Sequence, residues 1–302
     1  MKNQEVDYGV VVETTKQDAF VFFHQVVYQV SFKKDSCINQ LVFPGDFVVL
    51  NESCSEFKKV LEHHHILNRA TKDYTKRSEV KKRKIIAVNI DYAVIVVSFQ
   101  EPEFHPSFVD RYMVLLGECN IPYFLVVNKR DLKTNRVEKL LDTYRSLGID
   151  VIGTSVNLED GIYNLKSKLY GKQVVFLGHS GVGESSLVKR LVTDESIQIS
   201  CVSEKTKKGC HTTTHSKCYV CDFNTLIIDT PGVRSLSLPD ISPLEVQNYF
   251  KEFSFYRTWC KFDNCIHIFE KNCGVKEAVM QEKISKERYE SYVKLVYELD
   301  NK

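Results

Sequence analysis

The chain has 302 residues, which is enough for two or three domains that each have a core of their own. Its hydrophobic share of 43% and charged share of 26% describe a globular protein rather than a disordered one. The acidic start and the polar breaks in the most apolar stretch, residues 85–99, predict neither a signal peptide nor a membrane span. Ten cysteines in such a chain indicate a reducing compartment, so we expect a cytoplasmic protein.

The N-terminal part is predicted to form short strands at residues 9–13, at 19–32 with a break, and at 47–50 after a Pro-Gly-Asp turn. Closely spaced short strands with turn signals favour a small all-β barrel. A barrel of the OB-fold type binds nucleic acid. We therefore expect an OB-type, RNA-binding barrel at residues 1–70.

A basic linker is predicted at residues 57–84, which contain ten Lys or Arg residues against three acids. The net charge of the whole chain is only +2, so this run stands out. Such a run can follow a phosphate backbone, or it can simply be a solvated connection, and the sequence leaves both alternatives open.

From residue 85 the pattern changes to alternating strands and helices, which is typical of an α/β domain with a parallel sheet. Strands are predicted at 85–88, 93–98, 123–127, 151–154, 173–177 and 226–228, and helices at 107–118, 137–147 and 162–169. We assign residues 71–240 to this domain. Residues 241–302 are predicted to form a mostly helical zinc-binding module that closes with an amphipathic helix at 282–299.

A phosphate-binding loop is predicted after the strand at 173–177, where glycines let backbone N–H groups converge on phosphate oxygens at a helix N-terminus. The residues of this loop are Gly178, His179, Ser180, Gly181, Val182, Gly183, Glu184, Ser185 and Ser186. Glu184 stands where such loops have a lysine that bridges the phosphates. Ser185 has the position of a Mg²⁺ ligand.

A guanine-recognition motif is predicted at Asn128, Lys129, Arg130 and Asp131, directly after a strand. The Asp131 carboxylate can accept two hydrogen bonds from guanine N1–H and the 2-amino group, and adenine cannot supply that pair. A second loop consists of Thr154, Ser155 and Val156, and it could place a backbone N–H on the guanine carbonyl.

A Mg²⁺-linked aspartate and a γ-phosphate-sensing glycine are expected at Asp229 and Gly232, which follow another predicted strand. In an ordinary GTPase the phosphate loop precedes the guanine motif, whereas here it follows it. The sequence therefore predicts a circularly permuted P-loop G domain.

The C-terminal region contains Cys260, Cys265, His267 and Cys273 within a short segment. Three thiolates and one imidazole match a closed, structural tetrahedral zinc site, and a small strand-poor module needs such a site to fold. We expect one Zn²⁺ per chain. A second Cys pair, Cys218 and Cys221, is interpreted as core or exposed thiols rather than as a metal site.

These motifs together resemble the ribosome small-subunit-dependent GTPase A family of bacteria along nearly the whole chain. The resemblance implies a GTPase that binds the small ribosomal subunit and its rRNA in late maturation, with GTP hydrolysis driving release. It also implies that His211 positions the attacking water, and the alternative is a solvated loop histidine. Thr213 is our choice for the switch threonine that completes the Mg²⁺ shell, and its neighbours are nearly as good candidates. Cys210 departs from the family, which usually has arginine there.

The alternative is an RNA- or ribosome-binding scaffold with a degenerate, hydrolysis-deficient nucleotide site, because Glu184 replaces the lysine. The intact guanine and Mg²⁺ motifs favour the enzyme, which would use GTP and GDP with Mg²⁺. We expect a monomer without a membrane partner.

Overall fold

The computed structural model describes residues 7–300, apart from 16, 33–40, 72–81, 193–196, 200–216, 222–223 and 230–237. The chain divides into two compact units. The first unit comprises Met1–Val94, Ile162–Leu177 and Glu184–Leu236, and the second comprises Ile95–Gly161, Gly178–Gly183 and Ser237–Lys302. Among the described residues, none of the helices combines the length and the apolar character that crossing a membrane requires.

The first unit begins with an antiparallel, barrel-like sheet in the order β3-β2-β1-β4-β5. Its strands are β1 (Gly9–Thr14), β2 (Asp18–Phe23), β3 (Val26–Ser31), β4 (Phe47–Leu50) and β5 (Phe57–Val60). Alternating apolar residues form its core, for example Val11, Val21 and Val48, which are fully buried. The turn before β4 requires Gly45, whose φ is +95° and whose added Cβ would lie 2.3 Å from the carbonyl oxygen of Val88.

Two further strands form a hairpin, because β6 (Ile66–Thr71) pairs antiparallel with β7 (Lys82–Val88). The basic segment 57–84, expected as a linker, therefore contains β5, β6 and the start of β7. Apolar residues stabilise this pairing near the start of β6 and the end of β7, where Leu67 and Ala87 are opposite each other and fully buried. The next strand, β8 (Tyr92–Ser98), passes from the first unit into the second between Val94 and Ile95.

In the second unit, β9 (Tyr123–Asn128) pairs in parallel with β10 (Val151–Gly153). The unit also contains α1 (Pro106–Glu118) and α2 (Asn135–Ser146). The side chain of Thr134 accepts a hydrogen bond from the backbone N–H of Val137 and so caps α2. The last five residues of β9 are buried, which suits a strand covered on both faces.

The remaining α/β elements belong to the first unit. β11 (Gln173–Gly178) is parallel to β14 (Leu226–Asp229), while β13 (Lys217–Val220) pairs antiparallel with β14, and β12 (Ile197–Ile199) pairs with β13. All six residues of β11 are buried. The helices here are α3 (Ile162–Leu169) and α4 (Glu184–Leu191), and α4 follows the glycine-rich loop directly.

The C-terminal module of the second unit is helical, with α5 (Phe253–Tyr256), α6 (Gly274–Met280) and α7 (Lys286–Asp300). Its core includes Phe250, Phe253 and Tyr292, whose rings pack within 5.3 Å of one another, centroid to centroid. Arg288 lies within this module and is only 2% exposed.

The predicted strands agree with the structure to within about one residue, with two exceptions: β7 begins three residues before the strand predicted at 85–88, and the broken strand 19–32 is two strands joined by a tight turn. His24 and Gln25 form that turn in left-handed conformations without a glycine or asparagine. The helix predicted at 282–299 begins four residues later, at Lys286, because the Ser285 hydroxyl accepts the Arg288 backbone N–H and caps it.

Candidate nucleotide site and metal centre

The glycine-rich loop has a backbone that only glycine accommodates at two positions. Gly181 and Gly183 both have a φ of +89°, in the left-handed region. A Cβ at Gly183 would lie 2.3 Å from Nδ2 of Asn128, so a larger residue would displace that amide. The loop thus allows close approach of its N–H groups to an anion, as a phosphate-binding loop requires.

Asn128 connects this loop to the segment predicted to recognise guanine, within the second unit. It is the last residue of β9 and is 3% exposed. Its Nδ2 donates to the carbonyl oxygen of Val182 at 3.0 Å, and the Thr154 hydroxyl donates to its Oδ1 at 3.3 Å. Three of the sequence-predicted segments are therefore joined by one buried amide.

The Asp131 carboxylate is exposed and held in place by two donors. The Ser155 hydroxyl donates to Oδ1 at 2.6 Å and the Asn157 amide donates to Oδ2 at 3.4 Å. The hydrogen bond from Ser155 lowers the pKa of Asp131 below its ordinary value. The carboxylate is ionised at neutral pH, which is the state that accepts two hydrogen bonds from guanine. The sequence did not predict a role for Asn157, because its contact with Asp131 exists only once the fold brings the two loops together.

The two residues between Asn128 and Asp131 point in other directions. Lys129 adopts a left-handed conformation and its Nζ donates to the carbonyl oxygen of Glu101. Arg130 forms an ion pair with Asp160 at 2.9 Å, and its backbone N–H donates to the Thr154 carbonyl at 2.9 Å. Arg130 thus links the two guanine loops.

Glu184, Ser185 and Ser186 form the first turn of α4. Glu184 is partly buried, whereas the two serines are exposed. Asp229 is the last residue of β14. The candidate residues Gly232, His211 and Thr213 lie outside the described residues, as does Cys210. In the loop before α4, His179 and Ser180 are exposed and Val182 is buried.

The four predicted zinc ligands converge in the C-terminal module, where the ligand atoms of Cys260, Cys265, His267 and Cys273 all lie within 4.8 Å of one another. The Sγ atoms of Cys260 and Cys273 are 3.8 Å apart, and His267 Nδ1 lies 3.5 and 3.3 Å from these two sulfurs. A tetrahedral zinc with Zn–S of about 2.3 Å and Zn–N of about 2.0 Å places sulfurs about 3.8 Å apart and sulfur and nitrogen about 3.5 Å apart. The distances among Cys260, His267 and Cys273 therefore fit zinc.

The residues around this centre fix the histidine in the required form. His267 Nε2 donates to Oε1 of Gln247 at 2.9 Å, which leaves Nδ1, beside the sulfurs of Cys260 and Cys273, as the nitrogen that could bind a metal. Burial lowers the pKa of His267 to about 4, so the ring is neutral at pH 7. The hydroxyls of Tyr289 and Tyr292 donate to the carbonyl oxygens of His267 and Ile266 at 2.7 and 2.9 Å. No pattern in the sequence indicated a role for Gln247 or for the two tyrosines.

The other cysteine pair belongs to the first unit, where Cys218 and Cys221 are both buried. Cys218 lies in β13 and Cys221 follows it. Within the part of the chain that the structure describes, the group of side chains that could hold a metal is the one in the C-terminal module.

Comparison with known proteins gives consistent matches. A model of the RsgA GTPase family matches residues 66–239. A protein of Chlorobaculum parvum named small ribosomal subunit biogenesis GTPase RsgA is 37% identical over 270 residues, covering 87% of this chain and 86% of that protein. Its namesake in Borrelia recurrentis is 36% identical, covering 85% of this chain and 80% of its own length.

Solved structures agree with the fold described above. The crystal structure of YjeQ from Thermotoga maritima superposes with a TM-score of 0.74 at 29% identity, covering 98% of this chain and 99% of its own. The structure of YloQ, a circularly permuted GTPase, superposes with a TM-score of 0.73 at 23% identity and covers 100% of this chain and 98% of its own. The permuted GTPase fold expected from the motif order is therefore confirmed.

Proposed function

Because the chain belongs to the RsgA GTPase family, we propose that it binds the small ribosomal subunit in late maturation and hydrolyses GTP to GDP and phosphate, with hydrolysis driving its release. The choice of the small ribosomal subunit as the partner rests on the names of the relatives. The chemistry of the described residues supports the choice of nucleotide.

The observation that carries the proposal is the Asp131 carboxylate, held by Ser155 and Asn157 beside the amide of Asn128. Two aligned carboxylate oxygens match the N1–H and 2-amino donors of guanine, and adenine offers no such pair. Lys129 would pack over the base, and Arg130 would hold the loop of Thr154, Ser155 and Val156, whose backbone N–H groups can reach the guanine carbonyl.

The phosphates would lie on the N–H groups of residues 178–183 and at the N-terminus of α4. The exposed Ser185 hydroxyl and Thr213 would hold Mg²⁺, a cation that prefers oxygen ligands, and Asp229 and Gly232 would contact it and the γ-phosphate. Bound Mg²⁺ would neutralise charge that develops on the phosphate oxygens. His211 would position the attacking water.

The domain plan follows from the same family. We propose that residues 1–70 form an OB-fold, rRNA-binding barrel, that 71–240 form the G domain and that 241–302 form a zinc-binding module. The antiparallel order of the first sheet and the ligand distances in the metal centre support this division. The structural Zn²⁺ would fix the module's loop against α7. We place the protein in the cytoplasm as a monomer.

The test is a pair of measurements on the full chain. Co-sedimentation with small ribosomal subunits should depend on a guanine nucleotide, and phosphate release from GTP should increase when subunits are added. ATP serves as the control nucleotide and large subunits serve as the control particle. Equal affinity for GDP and ADP, or equal binding to both subunits, would show that the proposed function is wrong.

The scaffold alternative is not favoured by the comparisons, since the relatives that match most of the chain are named GTPases. Glu184 is the feature on which it depends. The effect of Glu184 on nucleotide binding and hydrolysis can be measured separately, because Glu184→Lys restores the lysine that such loops have at this position.

A further inference from the structure

The ring of His267 lies between two of the predicted metal ligands on one side and Gln247 on the other. Its Nδ1 lies 3.5 Å from Sγ of Cys260 and 3.3 Å from Sγ of Cys273, whereas its Nε2 lies 2.9 Å from Oε1 of Gln247. His267 is 1% exposed, so its ring is out of contact with bulk water. A neutral imidazole carries a proton on one nitrogen and a lone pair on the other. The nitrogen that keeps the proton therefore decides whether Nδ1 can bind a metal.

The side-chain amide of Gln247 is held with its oxygen toward the imidazole. Its Nε2 donates to the carbonyl oxygen of Leu244 at 2.9 Å. A side-chain amide has one donor end and one acceptor end, so this contact leaves Oε1 as the atom that faces His267. Gln247 is also buried, which keeps water from replacing either contact. An oxygen acceptor at this place requires the proton of His267 to be on Nε2, and the lone pair is then on Nδ1.

The 3-10 helix Glu245–Tyr249, which carries this amide, is fixed at both ends. At its start, the backbone N–H and the hydroxyl of Ser242 both donate to Oε2 of Glu245 at 2.7 Å. At its end, the Tyr249 hydroxyl donates to Oε2 of Glu118 on α1 at 2.9 Å. An acceptor on an element held in this way is already in place before a metal binds, so its contact costs little ordering entropy.

The backbone of His267 is fixed separately from its ring. Its φ is +59°, in the left-handed region, and a residue other than glycine keeps this conformation only where its surroundings hold it. The Glu270 carboxylate accepts the backbone N–H groups of Ile266 and Ile268 at 2.6 and 3.0 Å. The Tyr289 hydroxyl donates to the carbonyl oxygen of His267 at 2.7 Å. The freedom that remains to this ligand is in the rotation of its ring and the place of its proton, and the amide oxygen acts on both.

We propose that Gln247 is a positioning residue of the metal centre: its Oε1 holds the proton of His267 on Nε2 and so directs the lone pair of Nδ1 at the metal. The proposal rests on the zinc centre of the proposed function and deepens it, because it assigns to a residue outside the Cys and His ligands the control of how tightly zinc is retained. Such partners of a metal-bound imidazole fix its tautomer and its orientation.

The test is the zinc affinity of the full chain, measured by competition with a chromophoric chelator. Gln247→Met removes the acceptor oxygen and keeps an unbranched side chain of similar length. We expect it to lower the zinc affinity about 10–100-fold, the loss that follows from removing such a partner. Gln247→Glu keeps an oxygen acceptor at the same place and should recover most of that loss.

The matched control is Gln281→Met, the same substitution in the same module. Gln281 is exposed, and its Nε2 donates to Oε1 of Glu277 on the surface at 3.1 Å. Its zinc affinity should stay within about twofold of the unmodified chain, as is usual for surface substitutions. Thermal unfolding of the zinc-loaded variants verifies that the module is folded.

The ring N–H of His267 gives a readout that a role in folding alone would not change. In NMR spectra of the zinc-loaded chain, the proton on Nε2 should shift upfield in Gln247→Met, because it loses its acceptor. It should shift downfield in Gln247→Glu, because a carboxylate is the stronger acceptor. The second shift tests the contact even if Gln247→Met does not fold.

The outcomes separate this role from the proposed zinc centre. The positioning role is wrong if Gln247→Met holds zinc as tightly as Gln281→Met, or if the resonance of the Nε2 proton is the same in Gln247→Glu as in the unmodified chain. The zinc centre stands in both cases. An unmodified chain that neither contains zinc nor takes it up would overturn the centre and this role together, while the binding of guanine nucleotide and small subunits keeps its own test.

Discussion

Replacing Glu184 by lysine tests the phosphate site more directly than any other change. Glu184 is the first residue of α4 and is partly buried, directly after a loop whose glycines have the conformation needed to bind phosphate. A carboxylate suits the positive end of a helix dipole, which stabilises it by about 0.3–1 kcal/mol. It opposes a nucleotide phosphate at the same position.

The size of the effect follows from what the substitution leaves unchanged. The left-handed glycines of the loop and the contact from Asn128 to Val182 at 3.0 Å do not involve the side chain of Glu184. A lysine adds one charge-assisted hydrogen bond, about 1.5–3 kcal/mol. Removing the repulsion of two charges about 4 Å apart in water adds about 1 kcal/mol. Together these amount to about 2.5–4 kcal/mol, which corresponds to about a hundredfold to several hundredfold in GTP affinity.

The effect on turnover should exceed the effect on affinity, because negative charge spreads over the γ-oxygens and the bridging oxygen in the transition state. We expect very slow hydrolysis by the unmodified chain, even with small subunits present, and restored hydrolysis by Glu184→Lys. The measurements are titration with fluorescent GDP and GTP analogues, and phosphate release with and without subunits.

Glu184→Gln is the matched control, since it removes the negative charge without adding a cation, and it should give intermediate affinity. In the Glu184→Lys background, His211→Ala should lower turnover with little change in GDP affinity. Robust subunit-stimulated hydrolysis by the unmodified chain would refute the reasoning. Another group, such as Lys205, Lys207 or Lys208, would then supply the missing charge.

Three other predictions concern the guanine motif, the metal and the buried ion pair. Asp131→Asn should shift the binding preference from guanine toward xanthine nucleotides, because an acceptor that faces the base becomes partly a donor. Competition binding measures this preference. Equal binding of ADP and GDP by the unmodified chain would contradict the predicted guanine selectivity. Metal analysis should find about one zinc per chain, lost when Cys265 and Cys273 are both changed to serine, and intact protein purified without chelator that contains no metal would exclude the site. Arg288→Met should lower the free energy of unfolding by about 3–5 kcal/mol in urea titrations, because it leaves the carboxylate of Asp110 buried and unpaired; a loss below about 1 kcal/mol would show that this ion pair contributes little.

The parts of the site that the sequence predicted are those whose chemistry is local in the chain. The four predicted zinc ligands lie within one short segment, and their residue types and spacing predict zinc before any fold is known. Asn128 and Asp131 are similarly close, and the fold brings their segment together with Val182 as the motifs require. Circular permutation could also be predicted, because the order of the GTPase motifs along the chain is visible in the sequence itself.

The residues that the sequence missed act over long separations. Arg288 lies on an amphipathic helix, where a charged residue normally faces solvent, yet it is buried against the rings of Phe250 and Tyr144 and bound to Asp110. No local pattern distinguishes such an arginine from a solvated one. Gln247 was missed for the same reason, since it lies in a 3-10 helix, Glu245–Tyr249, and its contact with His267 depends on how this helix packs against the segment of the metal centre.

The ion pair of Arg288 also bears on how nucleotide and zinc module are connected. Asp110 lies on α1, Tyr144 lies on α2 directly after the guanine motif, and the hydroxyl of Tyr144 donates to Asp110 at 2.8 Å. The guanidinium on α7 contacts the same carboxylate. Burial penalises the charged form of Asp110 and raises its pKa, while the charge of Arg288 acts in the opposite direction. The helix that follows the guanine motif and the helix that holds the zinc loop are therefore parts of one packed structure.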